Sequence, residues 1–326
     1  MVHDPIARLG RAMLLSMLAL LAPPHAAANA GATPVPMLTL PAKAIVKPVL
    51  ACDAAQLNRF DRLPNAPTEI ASARLVAQDG ARAEHCLVSG YVWPQVKFEL
   101  RLPTIGYTGR YLQIGCGGNC GFIRPEPSPR CDDAMAASGA FAVAATDAGH
   151  SAASTGSLWA RDNRALQDDF AERGVHVVSI AAKAIIGAFY GKQPDHSYFQ
   201  GCSDGGREAM KEAQRYPGDF DGLVAGAPAN YISTAFLKFA WQLAHDRDAA
   251  GAPIMSASAV KTLHAAVMRA CDGLDGLVDG QIDDPRACTF DPATLACPGD
   301  GAERPGQCLG GAQVRTARAV QRPGCA

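Results

Sequence analysis

A serine set between closely spaced glycines is the clearest candidate for chemistry in this chain. Gly201-Cys202-Ser203-Asp204-Gly205 matches the pattern G-x-S-x-G. On a sharp strand-to-helix turn, such a serine is lifted above a sheet edge as a nucleophile for acyl transfer. The amide that follows it, here that of Asp204, then faces the oxyanion. By itself the pattern also fits an ordinary tight turn, so the flanking elements decide its meaning.

Those flanking elements favour the nucleophile. "HSYFQG" (196–201) reads as a strand and "REAMKEAQRYP" (207–217) as a helix that Pro217 stops. A nucleophilic serine also needs a second oxyanion donor, usually from a glycine-bearing loop after an earlier strand. The glycine cluster 115–121 directly follows the apolar strand "RYLQIG" (110–115), and we select the amide of Gly117. An ordinary glycine-rich turn is the alternative there.

The remaining elements predict the architecture. Strand-like segments cover 71–102, 141–147 and 222–229, and a long helical pattern covers 162–190 with Gly174 at its one gap. Strands that alternate with helices predict an α/β fold with a mostly parallel sheet and crossover helices. From about Ser233 the pattern changes to helix and then to a stretch rich in Cys, Asp and Gly. We therefore divide the chain into a hydrolase-like core (51–232) and a partial lid (233–326).

The first thirty residues predict export. Arg8 and Arg11 precede the apolar run Ala12–Ala22, and small residues follow at 26–30, which is the pattern of a secretory signal peptide over 1–30. The run is shorter than the roughly 20 apolar residues that cross a bilayer. Eleven cysteines fit a secreted or periplasmic protein. Residues 31–50 read as a flexible leader. A net charge of −1 without a basic block argues against nucleic-acid partners, and no membrane partner is expected.

Several segments resemble the tannase and feruloyl esterase family. They are "QGCSDGGREAMKEAQRYPGDFDGLVAGAPA" (200–229), "EHCLVSGYVWPQVKFELRLP", "GRYLQIGCGGNCG", "AVAATDAGHS" and "CDGLDGLVDGQIDDPRAC". The resemblance covers roughly residues 50–315. It implies an α/β-hydrolase fold with an inserted lid, a Ser-Asp-His triad, and an acyl-enzyme on Ser203. The implied substrates are small esters of hydroxycinnamic or gallic-type acids.

The end of the chain departs from that family. There the acid and the histidine follow the lid, and a cysteine beside the histidine bridges to the one before the serine. Here the likeness fades after "GGAQVRTARAV", and the later histidines, His245 and His264, lie in helical segments. We assign no acid or base, expect Cys202 to be unpaired, and expect a chain that is truncated relative to the family. The alternatives are a catalytically impaired remnant and a non-catalytic secreted calcium-binding protein.

An acidic loop offers a metal site. Asp272, Asp275 and Asp279 alternate with glycines in "CDGLDGLVDGQID", and several carboxylates on a turned loop suit Ca²⁺. The family resemblance carries a structural calcium onto these side chains and onto the carbonyls of Leu277 and Gln281. A Cys271–Cys288 bridge would close this loop and lower the entropy cost of assembling the ligands. A solvated acidic turn is the alternative.

Two further groups are less informative. Asp147 and His150 could form a catalytic pair, but they precede the serine, and loop-anchoring hydrogen bonds are the preferred interpretation. Trp159 and Trp241 are assigned to core or lid packing, although the second could line a cleft for an aromatic acid.

Overall fold

A seven-stranded sheet organises the chain. The computed structural model describes residues 44–125, 139–151, 156 and 158–321, and the predicted signal peptide lies outside them. The strands are β1 Thr68–Val76, β2 His85–Val92, β3 Val96–Pro103, β4 Arg110–Ile114, β5 Phe141–Thr146, β6 His196–Cys202 and β7 Gly222–Gly226.

The sheet has an antiparallel half and a parallel half. Its spatial order is β1-β2-β3-β5-β4-β6-β7. The first four strands in this order form antiparallel pairs, whereas β5, β4, β6 and β7 pair in parallel. The carboxyl ends of β4, β6 and β7 therefore meet at one edge, which is where an open α/β sheet places its ligand site.

Seven α-helices accompany the sheet in the described part of the chain. They are α1 Ala54–Leu57, α2 Arg164–Asp168, α3 Gly174–Tyr190, α4 Asp204–Arg215, α5 Ile232–His245, α6 Ala257–Cys271 and α7 Gly311–Gln321. The helix predicted from residue 207 thus begins earlier, directly after Ser203, and the strand predicted over 222–229 ends at Gly226, just before the "APA" segment.

The predicted long helix is continuous through Gly174. One π-helical turn, Asp169–Arg173, joins α2 to α3. A Cβ atom at Gly174 would lie 2.8 Å from the Asp169 carbonyl oxygen and 3.1 Å from the Ala148 Cα. Close packing against the loop after β5 therefore explains the glycine. The stretch Arg164–Tyr190 is long and apolar enough to cross a membrane, but 61% of its apolar window is buried inside the fold, as expected for a core helix.

The main core lies between α3 and one face of the sheet. Val178, Ala182, Ile185 and Phe189 recur along one side of α3 and are all buried; they share an apolar cluster with side chains from β2, β3 and β4. The opposite face of β4 and β5 carries a smaller cluster. The central strand β5 is buried along its whole length, and for this reason it reads as a continuous apolar run.

Both ends of the described chain differ from the central core. Residues 44–50, the described part of the predicted flexible leader, are tied to the core, because the Val46 amide donates to the Tyr107 carbonyl and the Val49 amide to that of Phe189. Beyond β7 the helices α5, α6 and α7 alternate with irregular loops, and a small apolar cluster centres on Ala259, Leu309 and Val314.

Candidate active site

Ser203 occupies a strained turn between β6 and α4. Its backbone has φ 63° and ψ −113°, a conformation that non-glycine residues rarely adopt and that clusters at functional sites. Three backbone hydrogen bonds hold it there. Its amide donates to the Gly226 carbonyl at 3.0 Å, and its carbonyl accepts from Ala229 at 2.9 Å and from Arg207 at 3.1 Å. The side chain is exposed at the carboxyl edge of the sheet.

The glycines of the motif are required by close backbone contacts. A Cβ atom at Gly201 would lie 2.2 Å from the Gly205 carbonyl oxygen, and one at Gly205 would lie 2.8 Å from that of Cys116. Real Cβ atoms do not approach so closely, so larger residues would open the turn. The second contact also brings the loop after β4 against the start of α4.

The loop 115–121 thus lies beside the serine turn, as predicted. The Gly115 amide donates to the Gln200 carbonyl at 2.8 Å, and a Cβ atom at Gly117 would meet nothing within 4 Å. The Asp204 amide belongs to the first turn of α4, where amides have no intrahelical acceptor. The helix N-terminus also favours negative charge. The amides of Gly117 and Asp204 are the candidate oxyanion donors at this edge.

A buried ion pair braces the first turn of α4. The Arg207 guanidinium donates to both carboxylate oxygens of Asp204, at 2.7 and 2.9 Å, and to the carbonyls of Phe170 and Ala171 in the π-helical turn. It also lies over the Phe170 ring. Sequence reasoning missed this role, although the i,i+3 spacing of an acid and a base on a helix is a known signal.

A second acid lies behind the loop 115–121. Glu208 is 3% exposed and accepts from the Cys116 amide at 3.0 Å. Burial, and then the charge of Asp204, raises the pKa of Glu208 to about 8. The Cys116 and Cys120 side chains, which contact both carboxylates, are joined in a disulfide. That bond leaves no thiolates for a metal and closes the loop that carries Gly117.

Asp147 and His150 make hydrogen bonds that anchor loops, which confirms the preferred interpretation of this pair. Asp147 accepts from the amides of Lys97 and Gly149 at 3.0 and 2.8 Å, and burial raises its pKa to about 6. His150 pairs through Nε2 with the Asn119 carbonyl at 2.7 Å, and burial lowers its pKa. Its ring stacks on that of Trp159, which agrees with the packing role assigned to this tryptophan.

The later histidines do not complete a triad in the described part of the chain. His245 pairs with the Trp241 carbonyl of its own helix at 2.8 Å, and His264 is exposed on α6. Among the described residues, no side chain hydrogen-bonds to the Ser203 hydroxyl. Cys202 is free within the same residues, whereas Cys131 and Cys325 lie outside them. Within the described residues, the serine and its strained turn are thus present without a hydrogen-bonded base.

The acidic loop follows α6 on the surface. Asp272 accepts from the Gly280 amide at 3.1 Å, Asp275 from that of Leu277 at 2.9 Å, and Asp279 from that of Gln281 at 3.0 Å. The predicted Cys271–Cys288 disulfide is present, with Cα atoms 5.5 Å apart. The three carboxylates are not among the groups of described residues whose ligand atoms converge within 4.8 Å.

A strained serine turn at the carboxyl edge of a largely parallel sheet, with the helix N-terminus behind it, defines an α/β-hydrolase-type fold. The family model described as tannase and feruloyl esterase matches residues 82–325. The chain belongs to the tannase and feruloyl esterase family.

Known proteins agree with this assignment. The mono(2-hydroxyethyl) terephthalate hydrolase of Piscinibacter sakaiensis is 36% identical over 80% of this chain and 49% of its own length. A probable feruloyl esterase B-2 of Aspergillus flavus is 38% identical over 70% of this chain and 42% of its own. The crystal structure of feruloyl esterase B from Aspergillus oryzae superposes with a TM-score of 0.66 at 30% identity, covering 81% of this chain and 55% of that one. The chain therefore spans about half the length of these relatives.

Proposed function

We propose that Ser203 is the nucleophile of a carboxylic ester hydrolase acting on esters of aromatic acids. The observation that carries this proposal is the positive φ of an exposed serine between β6 and α4, at glycines that tolerate no side chain. Strain of this kind is maintained only where surrounding contacts enforce it. The names of two relatives, a terephthalate monoester hydrolase and a feruloyl esterase, support an aromatic acyl group.

The chemistry follows from the site. The Ser203 oxygen attacks the ester carbonyl, and the carbonyl oxygen becomes an oxyanion that the amides of Asp204 and Gly117 stabilise. Ser203 loses its proton to solvent, and collapse expels the alcohol, which takes up a proton, and leaves an acyl group on Ser203. Water then hydrolyses this acyl group to the free acid and restores the serine. A serine hydroxyl is a poor nucleophile without a base to take its proton. Because no described side chain hydrogen-bonds to the hydroxyl, we expect acylation of this chain to be slow.

Covalent labelling of Ser203 tests the proposal directly. A fluorophosphonate forms the same bond as an ester would, and peptide mass spectrometry locates the adduct. We expect slow modification concentrated at Ser203, abolished in Ser203→Ala and retained in Ser72→Ala, which removes an exposed serine of β1. Modification spread evenly over surface serines, or none at Ser203 after long incubation, would refute the assignment. Aromatic specificity is tested separately by comparing methyl ferulate with methyl acetate as competitors of labelling.

The acidic loop is proposed to bind one structural Ca²⁺ through Asp272, Asp275 and Asp279 and the carbonyls of Leu277 and Gln281. No ion pair in the described part of the chain involves these three carboxylates, and neither carbonyl accepts a hydrogen bond there. Hard, uncompensated oxygen donors on a glycine-turned loop fit calcium in type. The cation would neutralise their repulsion and tie the loop to the end of α6.

Calcium dependence of melting tests this second site. We expect chelator to lower the melting temperature of the wild-type chain and to have no effect on Asp275→Ala. Asp248→Ala, in the turn after α5, is the matched control and should keep the dependence. Identical melting temperatures of the wild-type chain with and without chelator would show that the loop is a solvated turn and binds no structural calcium.

Export to the periplasm or medium is proposed as the setting. Four disulfides join described cysteines, and such bonds persist in oxidising compartments. The residues of the predicted signal peptide lie outside the described part of the chain, so N-terminal sequencing of the exported protein is the direct check. Cleavage near residue 30 is expected.

A further inference from the structure

A second polar cluster lies at the far end of α4, away from the serine turn. It joins His176 on α3, Glu212 on the last turns of α4, and Asp219 in the turn that follows. One imidazole nitrogen of His176 and a carboxylate oxygen of each acid all lie within 4.8 Å of one another. The His176 Nδ1 atom is 2.6 Å from the Asp219 Oδ2 atom. Neither the proposed esterase chemistry nor the acidic loop uses these residues.

Glu212 is the unusual member of this cluster. Its side chain is 1% exposed, and its Oε2 atom is buried without a hydrogen-bond partner. A buried carboxylate oxygen without a partner is costly, because it loses its water and gains nothing in return. An oxygen of this kind beside an imidazole and a second carboxylate requires either a proton shared with Asp219 or a bound cation.

We propose that His176, Glu212 and Asp219 form a binding site for a Zn²⁺-type transition-metal ion. One imidazole nitrogen and two carboxylate oxygens suit zinc, whereas an imidazole is a poor ligand for calcium or magnesium. Zinc holds such ligands at about 2.0–2.2 Å, which places donor atoms about 3.3 Å apart. The His176–Asp219 pair must therefore separate by less than about 1 Å to admit the ion.

The surroundings hold two of the ligands in place. The Ser179 hydroxyl donates to Asp219 Oδ2 at 2.9 Å, and the His176 ring stacks on Tyr216 with centroids 3.7 Å apart. Hydrogen bonds and packing of this kind orient metal ligands. His176 and Asp219 keep 23% and 14% of their side chains exposed, so an ion can enter from solvent. Lys183, which donates to the Asp219 carbonyl, opposes the cation and limits its affinity.

A proton is the competing occupant of the cluster. Burial, then the charges of Asp219 and Glu208, raises the pKa of Glu212 to about 9. A protonated Glu212 would share its hydrogen with Asp219 and need no metal. The experiment must therefore separate a site that binds an ion from a neutral buried acid.

Zinc titration of the chelator-treated, untagged chain separates these cases. We expect calorimetry to detect one zinc ion per chain. His176→Ala and Glu212→Gln should each weaken binding by at least about tenfold, because each removes a ligand. Glu212→Gln keeps the shape of the buried side chain and so guards against mere unfolding. His196→Ala, which removes an exposed histidine at the start of β6, should leave zinc binding unchanged.

X-ray absorption at the zinc edge adds a readout that a structural role alone would not change. The expected first shell contains nitrogen and oxygen only, with the signature of one imidazole. Sulfur in that shell would assign the ion to cysteines such as Cys202 and overturn the site. Failure of the wild-type chain to bind zinc would assign the cluster to a shared proton. So would zinc binding by His176→Ala and Glu212→Gln as tight as that of the wild-type chain.

Discussion

The parallel half of the sheet and the region after β7 hold their candidate functional residues by different means. In the first, Asp204, Glu208 and Glu212 of α4 are at most 3% exposed, and the serine turn is enforced by backbone contacts at glycines. In the second, α5 has no fully buried residue, and disulfides such as Cys297–Cys308 close the loops.

The two regions are stabilised by different kinds of interaction. A buried site depends on close packing and on compensation of charge, so that small changes in volume or charge are costly. An exposed loop with few apolar contacts depends on covalent closure, which limits the conformations of the unfolded chain. The two regions should therefore respond differently to the same type of substitution.

The largest expected effect is steric. Gly201→Ala places a Cβ atom 2.2 Å from the Gly205 carbonyl oxygen, so the free energy of unfolding should fall by at least about 4 kcal/mol. Denaturant unfolding measures this. Gly218→Ala is the matched control, because its Cβ would meet nothing within 4 Å, and it should change stability little. Equal stabilities of the two variants would show that the serine turn is not under steric constraint.

Removal of a buried charge partner is expected to be the next largest effect. Arg207→Ala leaves the Asp204 carboxylate, whose side chain is 2% exposed, without its partner. The free energy of unfolding should fall by about 3 kcal/mol, and fluorophosphonate labelling of Ser203 should slow. Arg286→Ala breaks a pair of similar geometry on the exposed surface and should have no measurable effect. A loss of stability in Arg207→Ala no larger than that in Arg286→Ala would show that the buried pair contributes little to the free energy of unfolding.

A pH effect is the smallest and most specific expectation. In the folded protein, burial raises the pKa of Glu208 to about 8, whereas in the unfolded chain the pKa is about 4.3. Between these values the unfolded state binds fewer protons, so this group makes stability fall as pH rises. Glu208→Gln should therefore flatten the decline of the melting temperature between pH 5 and 8.

Glu69→Gln is the control for this pH effect, since Glu69 is an exposed residue of β1. Its melting temperature should follow the wild-type dependence on pH. Parallel curves for wild type and Glu208→Gln would show that the buried acid does not titrate in this range.

Much of the site could be predicted from the sequence, because its signals are local. Adjacent residues predict the turn at Ser203, because its glycines, the strand before it and the helix after it lie next to one another in the chain. The loop with Gly117 is predicted in the same way, because it follows a strand that appears in the sequence as an apolar run. Periodicity also located α3. The Cys271–Cys288 bridge, predicted from the two cysteines that flank the acidic loop, is present. The calcium ligands remain a prediction, because the three carboxylates do not converge by themselves.

Tertiary structure decided what joins distant segments. The sheet order that places β4 between β5 and β6, the bonds from Arg207 to the π-helical turn, and the cluster of His176 with Glu212 and Asp219 all connect residues far apart in the chain. Sequence patterns record which face of an element is apolar, but not which elements meet. The local conformation at Ser203 is therefore determined by neighbouring residues in the sequence. The burial and pairing of the charges around it arise only when α3, α4 and the sheet pack together.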